Sequence, residues 1–124
     1  MSPLVSAFAA FNVAAVCLDA VSTQRYVPIS IEGNPLARWL FVRLGKPQAL
    51  VIIVATTILY STAMTYASAP WSYLCCAVLG VQGWLHSVAA YVNTYRKVPP
   101  TGGVAMLIMI RMFNLMSKVR FGRN

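Results

Sequence analysis

The stretch Leu18–Gly45, LDAVSTQRYVPISIEGNPLARWLFVRLG, decides how this chain is read. It holds both acidic residues, Asp19 and Glu32, and three of the basic ones, Arg25, Arg38 and Arg43, with Lys46 just beyond. Long uncharged apolar runs flank it on either side. Pro28 has no backbone N–H and biases Val27 toward extended geometry, so a helix arriving from the N-terminal side should end before it. Asn34 is a good helix N-cap, Pro35 fits the first helical position, Gly45 fits the residue just past a helix end, and Pro47 bars continuation. The helix enclosed, 35–44, covers about 15 Å at ~1.5 Å per residue, too short to cross a membrane. Arg38 and Arg43 can snorkel there, while Leu36, Trp39, Leu40 and Val42 supply apolar surface. The stretch is therefore expected to mark where the chain leaves a membrane, lies along its surface and turns back in.

Composition supports that setting. Of 124 residues, 59% are hydrophobic and 10% charged, with mean hydropathy +0.68. Soluble domains average roughly 25% charged residues, and a chain this short needs polar groups to cover a high surface-to-volume ratio. The excess apolar surface calls for lipid or protein partners. The net charge of +8 fits lysines and arginines on cytoplasmic flanks in contact with anionic lipid better than it fits nucleic acid, which is not expected as a partner. Cys17, Cys75 and Cys76 lie in apolar segments without zinc-type spacing and read as small packing residues.

Three apolar segments predict spans at 3–24, 48–67 and 71–95, all in one domain. The first has no basic n-region, so it reads as a span and not as a signal peptide. Ala14-Ala15-Val16-Cys17 is rejected as a lipoprotein box because Val16 is too large at that place. Asn12, Asp19 and Thr23 share one helical face of the first segment, with Ser22 beside them, and the opposite face, with Leu4, Phe8, Phe11 and Leu18, suits lipid. The second segment carries no charge, and Thr57, Ser61 and Thr65 form a stripe of small hydroxyls suited to close helix approach. In the third, Gln82, His86 and Asn93 share one face. Pro99-Pro100-Thr101-Gly102-Gly103 is a linker. The segment 104–119 places Arg111, Asn114 and Lys118 on one face and methionines on another, predicting an amphipathic helix lying in the membrane plane. The expected fold class is thus all-α integral membrane, with three transmembrane helices, a short interfacial helix after the first and an amphipathic C-terminal helix. Three spans put all ten basic residues on one side, predicting the N-terminus outside and the C-terminus in the cytoplasm of a bacterial inner membrane.

Asp19 is the most informative residue. An acid within a span costs roughly 2.5–3.5 kcal/mol on insertion scales, so it faces protein or water and finds a partner. Its depth falls between those of His86 and Asn93 if the first and third segments pack together. A hydrogen bond to either residue then makes a polar latch between helices. A proton-handling or metal role, or a partner in Arg25 or another subunit, are the alternatives. Glu32 reads as a helix cap or the partner of Arg25 or Arg38, with a metal site of Asp19, Glu32 and His86 as the sharper alternative. His86, the single histidine, could also hold a tetrapyrrole or a divalent metal. No nucleophile elbow, phosphate-binding glycine loop or CxxC motif is present.

The run Asp19-x-x-x-Thr23 followed by Glu32-x-Asn34-Pro35-Leu36 resembles a widespread group of small prokaryotic polytopic membrane proteins without an assigned activity. Asn93 matches the asparagine that group often carries late in its last span. The similarity covers about Ala15–Gly45, and the basic residue that the group carries inside the second span is missing here. The resemblance implies a membrane fold and a polar cluster of Asp19, Glu32 and Asn34. The function expected from size and composition is that of a small non-catalytic accessory subunit, bound to lipid and to other integral membrane subunits. The alternative is a small membrane enzyme or ion-handling protein built on Asp19, Glu32, His86 and Asn93.

Overall fold

The computed structural model describes residues 1–100 and 102–118. Among these it is helical throughout: α1 (Pro3–Tyr26), a 3-10 turn (Ile29–Ile31), α2 (Pro35–Leu44), α3 (Lys46–Met64), α4 (Trp71–Tyr95) and α5 (Gly103–Lys118). Helices α1, α3 and α4 are long and apolar enough to cross a membrane, with mean hydropathies of 2.0, 1.5 and 1.4. The C-terminal helix is described as far as Lys118; Val119 of the expected 104–119 helix and the basic residues Arg120 and Arg123 lie outside the described residues.

The boundaries follow local chemistry. Ser2 caps α1 by accepting the Val5 N–H, with Pro3 in the first turn. Helix α1 continues to Tyr26, a little past the expected end, and stops where Val27 turns extended ahead of Pro28. Asn34 Oδ1 accepts from the Leu36 and Ala37 N–H groups and starts α2. Gly45 alone separates α2 from α3. Its φ of +83° suits glycine, and a Cβ there would stand 2.7 Å from the Gln48 side chain. Helix α3 begins at Lys46, before the expected 48, because Pro47 sits in a first turn where a missing N–H costs nothing. It also ends sooner, at Met64, with Thr65 and Tyr66 in turn-type hydrogen bonds.

Helix α1 is the centre of the bundle. It packs mainly on α4 and next on α3, while α3 and α4 barely touch. It runs parallel to α4 and antiparallel to α3, as its paired residues show: Thr23 meets Asn93, Asn12 meets Ser61, and the Ser2 N–H meets the Thr65 carbonyl. The α1–α4 contact is close because α4 presents glycines. A Cβ at Gly83 would stand 2.6 Å from the Phe11 ring and 3.2 Å from the Asn12 Cα, and one at Gly80 would stand 3.0 Å from Phe8. Phe8 therefore packs against α4, a difference from the lipid-facing role expected of it, whereas Phe11 touches Gly83 yet stays exposed, as do Leu4 and Leu18. Thr57, Ser61 and Thr65 are buried along the α3 stripe. Helix α2 folds back on α3 through Phe41 and Ala37 against Ala49 and Leu50, so its anchor is the phenylalanine and not the exposed Leu36, Trp39 and Val42.

Candidate functional site

The end of the bundle that carries the basic residues is tied together by their side chains. The last carbonyls of a helix lack intrahelical partners and attract cations. Lys46 Nζ donates to the carbonyls of Gln24 and Val27, and Arg96 donates to that of Tyr26. Arg25 and Arg43 lie over the rings of Tyr26 and Trp39 at 5.8 and 5.9 Å. Lys46, Arg96 and Arg25 thus frame the C-terminal end of α1, directly beyond the polar residues it shares with α4.

Those polar residues converge on Asp19. His86 Nδ1 lies 2.6 Å from Asp19 Oδ2, while Asn93 Nδ2 and Thr23 Oγ1 donate to Asp19 Oδ1 at 3.2 and 3.3 Å. Asn93 also lies within 3.2 Å of the hydroxyls of Ser22 and Thr23. One carboxylate thus joins two helices through an imidazole and an amide, and the α1–α4 approach at Gly83 sets the separation. Asp19–His86 is the sole ion pair among the described residues. Arg25 is not its partner. Asn12, grouped with Asp19 by helical face, turns instead to α3, donating to Tyr60 Oη and Ser61 Oγ at 3.2 and 3.1 Å. Its Oδ1 is buried with no partner among the described residues.

Glu32 caps the loop. Its Oε1 accepts the Asn34 N–H at 2.9 Å, which fixes the residue that in turn caps α2. It forms no ion pair with Arg25 or Arg38, and Arg38 is exposed. Burial pushes the Glu32 carboxyl above its usual value of 4.5. The Asn34 N–H opposes this, the negative Asp19 adds to it, and Lys46 again opposes it.

Asp19, Glu32, Asn34, Gln82, His86 and Asn93 line one cavity of about 730 Å³. The rest of its lining is mainly apolar and comes from all five helices, with Met106, Met109, Met112, Phe113 and Met116 contributed by α5. The methionine face of the C-terminal helix therefore lines the same cavity as the polar cluster, and Phe113 sits 3.7 Å from where a Gly33 Cβ would be. The periodicity of 104–119 indicated that face; what it meets was not legible, since α5 reaches the site across a linker. Gln82 makes no side-chain hydrogen bond among the described residues, and His86 bonds only through Nδ1. An imidazole oriented by a carboxylate at one nitrogen leaves the other free to accept a proton from, or donate one to, a bound molecule. No three His, Cys, Asp or Glu side chains among the described residues are grouped to hold a metal ion, so Asp19, Glu32 and His86 do not form the metal trio considered from sequence.

The fold and site define an all-helical protein with three membrane-length helices and a mainly apolar cavity that carries a cluster of polar side chains. No protein-family model, curated protein or solved structure matches the chain.

Proposed function

We propose that this is an integral membrane protein that binds a lipid-like amphiphile in the cavity between α1, α4 and α5. The carrying observation is the composition of that one cavity. Asp19, His86 and Asn93 line it together with the α5 methionines, in a volume within the ~300–1,000 Å³ of small-molecule sites. A polar head finds hydrogen-bonding groups at Gln82 and the free nitrogen of His86, and a tail finds methionine, which adapts to irregular apolar shapes. The three long helices span a bacterial inner membrane, with Lys46 and Arg96 at the cytoplasmic end. The cavity then opens near the headgroup level, where an amphiphile can enter from the bilayer. The motif resemblance fits this reading, since Asp19, Glu32 and Asn34 all belong to the cavity wall.

Native mass spectrometry of the protein extracted from its own membranes tests the idea. A retained adduct of defined mass, lost when Met109→Trp fills the cavity, is expected. Equal adducts on both proteins would defeat the proposal. A C-terminal tag should be accessible from the cytoplasmic side only.

A second reading, a non-catalytic accessory subunit of a larger membrane complex, is favoured by a shallow groove between α1 and α3. Ala20, Val21, Leu50, Val54 and Ala55 line it and could accept a partner helix. Blue-native electrophoresis that finds the protein only at its own mass would remove this reading.

A further inference from the structure

The two acidic residues of the chain lie 13 positions apart in sequence, yet both line the same cavity. Among the described residues no lysine or arginine lines it, although eight of the protein's ten lie there. In a chain of net charge +8, this cavity is the place where the charge balance is reversed.

The basic residues nearby are otherwise engaged or turned away. Lys46, which acts on Glu32 electrostatically, donates to the carbonyls of Gln24 and Val27. Arg96 donates to the carbonyl of Tyr26. Arg111 of α5 is exposed and stands on the opposite side of that helix from Met109 and Met116. Of the groups lining it, Asp19 is compensated by hydrogen-bond donors, whereas Glu32 receives a backbone N–H and, among the described residues, no ion pair. A buried carboxylate without a cationic partner is costly, and a ligand cation would offset that cost.

We infer that the amphiphile held between α1, α4 and α5 bears a cationic head, an amine or quaternary ammonium, placed between Asp19 and Glu32 with its tail on the α5 methionines. This rests on the amphiphile-binding reading and adds the charge class of its ligand. Anionic heads are disfavoured by the same two carboxylates. The protein's basic exterior and acidic cavity thus divide two tasks: anionic lipid outside, cationic amphiphile within.

The test uses the full chain in nanodiscs of a lipid with an uncharged sugar head. Three probes with the same dodecyl tail are titrated by calorimetry: dodecyltrimethylammonium, dodecyl maltoside and dodecyl sulfate. Heats from empty nanodiscs are subtracted. The expected order is ammonium tightest, by about tenfold over maltoside, and sulfate weakest. Asp19→Asn with Glu32→Gln should erase the ammonium advantage. If circular dichroism shows that this pair unfolds, Glu32→Gln alone, which keeps an acceptor for the Asn34 N–H, should reduce the advantage. Sulfate or maltoside binding as tight as ammonium, yet abolished by Met109→Trp, overturns the charge class and leaves the amphiphile reading standing. No saturable binding of any probe overturns both.

Discussion

The site exists because α1 and α4 approach closely at Gly83, and replacing that glycine with valine probes the whole arrangement. A Cβ at position 83 lies 2.6 and 2.8 Å from two Phe11 ring carbons and 3.2 Å from the Asn12 Cα. Carbon atoms settle at about 3.5–4.0 Å, so the ring must retreat by about 1 Å and the α1 backbone by a few tenths. Phe11 is 44% exposed, and its ring can swing outward. The Asn12 Cα cannot, because the Asn12 side chain is pinned to Tyr60 and Ser61 and the backbone moves only with the helix. Valine and glycine differ in helix propensity by only about 0.3–0.5 kcal/mol, which leaves overpacking as the main term. Gly83→Val should therefore destabilise the bundle by about 1–3 kcal/mol. Adding Phe11→Ala should recover the ring's share and leave the Asn12 share, so the two changes are non-additive by about 0.5 kcal/mol or more. Reversible unfolding by sodium dodecyl sulfate, followed by far-ultraviolet circular dichroism in mild detergent, measures both quantities. The same displacement should lengthen the 2.6 Å Asp19–His86 contact, which the ¹⁵N resonance of His86 Nδ1 reports. A Gly83→Val protein within about 0.5 kcal/mol of wild type, with an unshifted His86 signal, would refute the reasoning.

Other outcomes follow from the same contacts. In a double-mutant cycle, Asp19→Ala and Asn93→Ala should couple by about 0.6–1.7 kcal/mol, the range for hydrogen bonds between membrane helices; additive losses would separate the two residues. Asn34→Ala removes an acceptor for two N–H groups of α2 and should cost about 1 kcal/mol of stability, while Asn34→Asp should cost much less. Because Glu32 is raised above its usual 4.5, the folded state holds that proton to higher pH than the unfolded state does. The Glu32 contribution to stability is thus complete below about pH 4.5 and is lost as pH rises through the raised folded value. Glu32→Gln should flatten that part of the stability–pH curve, and an unchanged slope would show that Glu32 does not titrate there.

Much of this protein was legible in its residue order, for reasons confined to single segments. Apolar length marked three membrane-length helices, Pro28 and Asn34 marked where one helix stops and another starts, and the clustering of lysine and arginine marked one end of the bundle. Each of those signals depends on neighbours a few positions away. The meeting of Asp19 with His86 was partly legible as well, because depth along a span follows from a rise of ~1.5 Å per residue. Helical periodicity could group Asn12 with Asp19 but could not decide that one turns to α3 and the other to α4. That choice depends on how α1 is wedged between two partners, which is set by Gly80 and Gly83 on one side and by Ser61 on the other. The position of Phe41 beneath α2 and the meeting of the α5 methionines with the polar cluster in one cavity likewise require contacts between segments distant in sequence. Local chemistry therefore determined the helices, their caps and their charged end. Only the packing of α1 against α4, and of α5 against α4 and α2, decided that the two acidic residues share one cavity, because a cavity is a relation between surfaces that no single helix carries.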